Sequence, residues 1–194
     1  MKGNLKLIGG RKIESPKTLE TRPTTLMVRE AVFNILNEGL ENSYWLDLFS
    51  GSGSVACEAL NHGARKVVAI EKNRTNADIC LRNLKTLKQS PGINGDFEVI
   101  CKDALIWLKK RKNDPTKSNI LDQTKFNFIY LDPPYALKNY DHILEKIFTS
   151  NAINLNTIVI CEHSSFKEIK GNNLWLIKDQ RSYGKTQLSF LIKI

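Results

Sequence analysis

Between residues 44 and 161 short apolar runs alternate with longer amphipathic segments, and that alternation constrains the fold more than any other feature. Residues 44–49, 66–71, 97–101, 126–131 and 157–161 read as strands. They are mostly apolar along their length rather than polar at every second position, as in strands buried on both faces. Helices are expected over 54–62, 73–88, 104–111 and 138–149. In the second of these, Ala77, Cys80, Leu81, Leu84 and Leu87 recur at helical spacing. Residues 174–178 and 187–192 form two more apolar runs joined by a short link, which predicts an antiparallel hairpin. The sum is an α/β fold: a doubly wound, seven-stranded, mainly parallel, Rossmann-like sheet with a C-terminal hairpin.

Residues 1–24 precede this pattern and are expected to form a separate basic arm, with the main domain over 25–194. Leu5 to Ile13 reads as two short strands around Gly9-Gly10. Lys6, Arg11 and Lys12 on that hairpin, with Arg29 off the apolar stripe of the next helix, are candidate RNA contacts; a solvated edge hairpin would favour lysine as well. Thr24 or Thr25 is placed to cap that helix, which carries Leu26, Val28, Ala31, Val32, Ile35 and Leu36 inward and is expected to end at Gly39.

Charge bears on the partner. The 194 residues carry a formal net charge of +9, which favours a polyanion, with nucleic acid first. A genomic bias toward Lys, Asn and Ile codons would also produce it. No apolar stretch reaches the roughly 18 residues of a membrane span, and no signal peptide opens the chain. The four cysteines are scattered, so neither a zinc site nor any other metal site is expected. Cys57 and Cys101 are expected in apolar surroundings. A reducing cytoplasm fits this usage.

Ligands of doubly wound sheets bind outside the carboxyl ends of the strands. The first end reads Asp47-Leu48-Phe49-Ser50-Gly51-Ser52-Gly53, where two glycines let backbone pass close to a ligand. The second is Glu71 followed by Lys72, an acid placed to take both hydroxyls of a ribose. The third is Asp103-Ala104, where Asp103 either meets an adenine edge or caps the next helix. The fourth is Asp132-Pro133-Pro134-Tyr135. There a carboxylate and a fixed proline carbonyl offer two acceptors beside a stacking ring, which suits the exocyclic amine of a nucleobase. A plain turn would also use this sequence. Gly51, Gly53, Ala56 and Glu71 further satisfy a dinucleotide fingerprint, so an NAD-linked oxidoreductase is the rival. That rival has no use for the acceptor ledge and little chain left for a substrate domain.

At these residues the sequence resembles the class I S-adenosylmethionine-dependent methyltransferases. Asp47 to Gly53 is similar to their first motif, Glu71 to their ribose acid, and Asp132 to Tyr135 to the acid-Pro-Pro-aromatic motif of amino-group methylases. Within that class the chain resembles the RsmD-type family. The likeness rests on Ile8-Gly9-Gly10, Arg22-Pro23-Thr24-Thr25, Val28-Arg29-Glu30-Ala31-Val32-Phe33-Asn34-Ile35-Leu36, Glu58-Ala59-Leu60 and Glu162-His163, together with the first motif and the ledge. The resemblance implies S-adenosyl-L-methionine as cofactor, with Arg22 and Thr24 joining its site. It implies transfer to guanine N2 of 16S rRNA, on the small ribosomal subunit or an assembly intermediate, by a monomer. The basic stretch 112–125 is longer than the family pattern. DNA adenine-N6 or cytosine-N4 methylation and a non-catalytic RNA-binding module are the alternatives. The first normally needs a target-recognition segment, and the second has no need of the ledge.

Overall fold

The computed structural model describes residues 3–16, 24–112, 124–134, 137 and 139–194. A two-stranded antiparallel hairpin comes first, β1 (Gly3–Lys6) and β2 (Lys12–Ser15), turning through Gly9 and Gly10 at φ 86° and 88°. Then follow α1 (Leu26–Ile35), α2 (Asn37–Leu40), β3 (Tyr44–Asp47), α3 (Ser54–Asn61), β4 (Lys66–Glu71), α4 (Arg74–Lys88), β5 (Asp96–Cys101), α5 (Ala104–Lys112), β6 (Phe128–Leu131), α6 (Tyr140–Thr149), β7 (Ile158–Ser164), β8 (Trp175–Tyr183) and β9 (Thr186–Lys193).

The main sheet has seven strands in the order β5-β4-β3-β6-β7-β9-β8. Its first five are parallel, and β9 runs antiparallel between β7 and β8. After β5 the chain returns to lay β6 beside β3. The strand order therefore reverses between β3 and β6, the place where such sheets open a crevice at their carboxyl ends.

Alternation along the strands feeds two cores. Trp45, Val67, Ala69, Phe128, Tyr130 and Ile160 face α1, α3 and α4, where Trp45 stacks on Phe33 at 5.3 Å. Leu46, Val68, Ile70, Ile129, Leu131 and Val159 face α5 and α6. Burial on both faces explains why the strands read as continuous apolar runs. Four described helices begin on side-chain caps that satisfy orphan N–H groups: Thr25 Oγ1 takes Val28 N–H, Asn73 takes Asn76 N–H, Asp103 takes Leu105 and Ile106 N–H, and Asn139 takes His142 N–H.

Five sequence expectations are corrected. Leu26, expected on the inward face of the first helix, sits in its first turn and is 41 % exposed. The first helix stops at Ile35 and a separate turn, α2, contains Gly39, so Gly39 is not its cap. Strand β6 starts at Phe128; the Phe126 N–H instead reaches the Ala152 carbonyl. Cys101 is exposed rather than set among apolar groups. Arg29 does not face solvent. It is 1 % exposed and pairs with the fully buried Glu58 at 3.2 Å.

That ion pair fastens the N-terminal hairpin. Arg29 also donates to the carbonyls of Thr24 and Lys6, and Glu58 Oε1 accepts the Ile8 N–H at 2.8 Å. Leu7 and Ile13 are buried in the first core. A second fastening comes from Asn83 on α4. Its carbonyl accepts Glu14 N–H, and its amide donates both to Glu14 O and to Ser52 O in the glycine turn after β3.

Candidate active site

The glycine turn forms because β3 must give way at once to α3. Gly51 and Gly53 take φ 52° and 80°, and a Cβ on Gly53 would lie 2.5 Å from Cys80 Sγ. Only glycine fits a left-handed conformation against another element in this way. Gly51 N–H is held by Glu71 Oε2 at 2.9 Å, and Asn73 N–H by Glu71 Oε1 at 2.7 Å. Each oxygen thus takes one N–H, and a carboxylate offers about four lone-pair sites. Capacity remains for a vicinal pair of hydroxyls, so a ribose fits this acid.

Asp47 ends β3 and is almost wholly buried. Burial is the main force raising its carboxyl from 3.8 to about 7. The Phe49 and Ala56 N–H groups pull it down, and the Glu71 and Glu162 charges push it up. Phe49 is half-buried and Ser50 buried in the same turn. Lys72 is exposed beyond Glu71, and its carbonyl meets Cys101 Sγ at 3.8 Å. At the end of β5 the Asp103 Oδ1 accepts Leu105 and Ile106 N–H, which caps α5 and buries Ala104. The capping alternative for Asp103 therefore operates, through one of its two oxygens.

Asp132 follows β6 on the other side of the switch point. Leu131 pairs with Cys161, so the next residues along, Asp132 just past β6 and Glu162 inside β7, are neighbours across adjacent strands. Asp47, Tyr130, Asp132 and Glu162 all alternate onto the α1 face. Burial raises the Asp132 carboxyl well above its ordinary range, with the Glu162 and Asp47 charges adding to the effect. Glu162 Oε2 accepts the Thr24 hydroxyl at 3.0 Å and, more closely, the Tyr130 hydroxyl. Among the described residues the Pro133 carbonyl receives no backbone N–H, whereas Pro134's takes Leu137 N–H at 2.8 Å.

The candidates do not all converge. Asp47, Phe49, Ser50, Gly51, Gly53, Glu71, Lys72, Asp103 and Ala104 lie at the ends of β3, β4 and β5, with Asp132, Pro133 and Pro134 next to them. Thr24 joins through Glu162. Arg22, Tyr135 and residues 113–123 of the basic stretch lie outside the described residues. Lys6, Arg11 and Lys12 are exposed on the hairpin, and Arg29 is spent on Glu58. Two clefts, of about 390 and 420 Å³, lie away from the strand ends. One is at the opposite sheet edge beside Phe128 and Ile158; the other is between α5 and α6. Among the described residues no group of three or more His, Cys, Asp or Glu is arranged to hold a metal.

Sequence reasoning gave no role to Glu162, Tyr130 or Asn83. Signals for two of them were present. Glu162 directly follows the apolar run 157–161, as the strand-end acids follow theirs, although the strand continues through it to Ser164, and Asn83 is a polar residue on the inward stripe between Cys80 and Leu84.

A glycine turn and a strand-end acid with free acceptor capacity lie on one side of the switch point and an acid-Pro-Pro ledge on the other; with this fold and its methyltransferase relatives, the chain is a methyltransferase of the S-adenosylmethionine-dependent class. The chain belongs to the family described as Conserved hypothetical protein 95, whose model matches residues 5–192. It is 30 % identical over 187 residues to Ribosomal RNA small subunit methyltransferase D of Haemophilus influenzae, covering 94 % of this chain and 91 % of that protein. Among solved structures it is similar to the yhhF protein of Escherichia coli, with a TM-score of 0.77, 22 % identity and 98 % of each chain covered. It is also similar in fold to Trm1 of Pyrococcus horikoshii in complex with S-adenosyl-L-methionine. That match has a TM-score of 0.68 and 13 % identity, over 93 % of this chain and 58 % of that one.

Proposed function

We propose that this protein transfers a methyl group from S-adenosyl-L-methionine to the exocyclic N2 amine of a guanine in small-subunit (16S) rRNA. The observation that carries the reading is the ledge of Asp132 and Pro133 at the switch point, one strand away from the glycine turn and within one sheet of Glu71. The names of the relatives support rRNA as the substrate. The protein would act as a monomer in the cytoplasm.

Glu71 would hold the ribose, Gly51 and Gly53 would let the backbone approach, and Asp103 would meet the adenine with Ala104 beside it. When bound, the cofactor supplies an electrophilic methyl on a positively charged sulfur. Asp47, Asp132 and Glu162 crowd acids into the adjoining space; burial first and mutual repulsion second raise Asp47 and Asp132, and a positive charge there offsets the repulsion. The Asp132 carboxyl and the Pro133 carbonyl accept the two N–H groups of the amine. A carboxyl keeps an acceptor oxygen in either protonation state. Held so, the amine turns its lone pair out of the guanine plane and toward the methyl. Such alignment supplies on the order of 7–11 kcal/mol of a bimolecular barrier. Tyr135 would stack on the base, which must be unpaired or flipped out to reach the ledge. Lys6, Arg11 and Lys12 would meet RNA phosphates.

The test is methyl transfer from labelled cofactor to unmodified small-subunit rRNA, naked and assembled, with nucleoside analysis. N2-methylguanosine is expected, and Asp132→Ala should abolish transfer while cofactor binding persists. N6-methyladenine in DNA, or an Asp132→Ala variant as fast as the parent, would sink the assignment.

A further inference from the structure

Phe166 is 87 % exposed, more than any other large apolar side chain among the described residues. An exposed phenyl ring costs solubility and returns nothing to the core. It is not on a loose loop. Ser165 N–H donates to the Lys185 carbonyl and Lys167 N–H to the Ser164 carbonyl, both at 2.9 Å, and Phe166 N–H reaches Ser164 Oγ at 3.3 Å. Lys167 lies over the Tyr140 ring at 4.6 Å, and Tyr140 in turn donates to the Glu162 carbonyl at 2.6 Å. Tyr140 opens α6, the helix that follows the ledge. The turn carrying Phe166 is therefore braced against the segment leading away from Asp132.

Its place in the sheet gives the ring a partner. The ends proposed to hold the cofactor belong to β5, β4 and β3, on one side of the ledge. Strands β7, β9 and β8 lie on the other. A methyl acceptor aligned with its donor across Asp132 extends over this second side, where the Phe166 turn follows β7 and the exposed Lys185 sits in the link between β8 and β9. A flat apolar ring flanked by lysines matches an unpaired base and its phosphate.

We propose that Phe166 is a stacking platform for an unpaired RNA base neighbouring the methylated guanine, with Lys167 and Lys185 beside it meeting the backbone. This deepens the proposed function and rests on RNA being the substrate. The ring binds and registers the strand; it takes no part in methyl transfer.

The experiment compares Phe166→Ala, Phe166→Leu and Phe166→Trp with the parent. It measures filter binding of naked small-subunit rRNA and of the assembled subunit, together with steady-state kinetics on the substrate that the parent methylates. Stacking of one base corresponds to roughly a 5–150-fold affinity. The Ala and Leu variants should therefore lose about 10–100-fold in RNA affinity and raise KM alike. kcat, cofactor affinity and melting temperature should stay near the parent's, and Trp should restore binding. Phe166 adds nothing to the core, so its replacement should leave the fold intact, and the melting temperature checks this. Unchanged RNA binding in the Ala variant overturns the platform. So does a Leu variant equal to the parent, which would mean apolar contact without stacking. A defect confined to the assembled subunit overturns it too, as that would indicate a protein contact. If the parent produces no N2-methylguanosine, the proposed function fails, while the binding arm still judges Phe166.

Discussion

Arg29→Met tests the structure where it departs most from a surface reading of the sequence. Methionine keeps a long apolar stem and removes the guanidinium. Three contacts go with it: the 3.2 Å pair with Glu58, a 2.5 Å bond to the Thr24 carbonyl and the bond to the Lys6 carbonyl. Glu58 is 0 % exposed and keeps only the Ile8 N–H on Oε1, while its Oε2 has no partner among the described residues. Removing one member of a buried pair costs about 3–5 kcal/mol. The buried Thr24 carbonyl adds part of an unsatisfied-acceptor penalty of about 1–3 kcal/mol, whereas the Lys6 carbonyl sits at an exposed residue and turns to water. A loss of about 4 kcal/mol is expected, a large share of the 5–15 kcal/mol typical of a domain. Urea unfolding with linear extrapolation measures it. The loss should shrink from pH 8 to pH 5. Burial already raises the Glu58 carboxyl and Arg29 partly offsets this, so the variant should hold its proton to still higher pH. Changing Glu58 to Leu as well should recover part of the loss. A single variant within about 1 kcal/mol of the parent that instead binds RNA more weakly would refute the buried clamp and restore Arg29 to the surface.

Asp47 makes a prediction with the opposite pH sense from most carboxylates. Its folded value of about 7 lies above 3.8, so the folded state holds the extra proton between those values, and stability falls as pH rises through that window. The span of about three units corresponds to roughly 4 kcal/mol at most. Asp47→Asn should flatten the slope of unfolding free energy between pH 4 and pH 7, and equal slopes in the two proteins would contradict the burial argument. Gly53→Ala places a Cβ against Cys80 at φ 80° and should cost roughly 2–4 kcal/mol along with cofactor affinity; calorimetry showing a change below about 0.5 kcal/mol would count against the tight turn.

The alternation over residues 44–161 locates the parallel strands to within a few residues because β3, β4, β6 and β7 are buried along most of their length and carry a nearly continuous apolar signal, whereas the edge strand β5 is only half-buried and keeps Asp96 and Glu98. Asp47, Glu71, Asp103 and Asp132 were legible for the same reason: a polar residue directly after such a run must lie at a strand end. Arg29 was not. Its position in the helix gives no hint of Glu58, twenty-nine residues on, whose charge makes its burial tolerable. Nor does local sequence show that Thr24 would spend its hydroxyl on Glu162, because that contact joins segments 138 residues apart. β8 extends past its apolar core because an exposed outer strand tolerates polar residues such as Lys178, Gln180 and Arg181.

Asn83 holds the edge of the hairpin and the carbonyl of Ser52 with one amide group. The hairpin is therefore not a handle that could be exchanged between relatives by cutting at residue 24. A grafted arm out of register, or with proline at position 14, would leave that amide half-paired directly behind the glycine turn. Chimeras in this family should respect the arm and α4 as one inherited unit, even though fifty-odd residues of sheet and helix separate them in the chain.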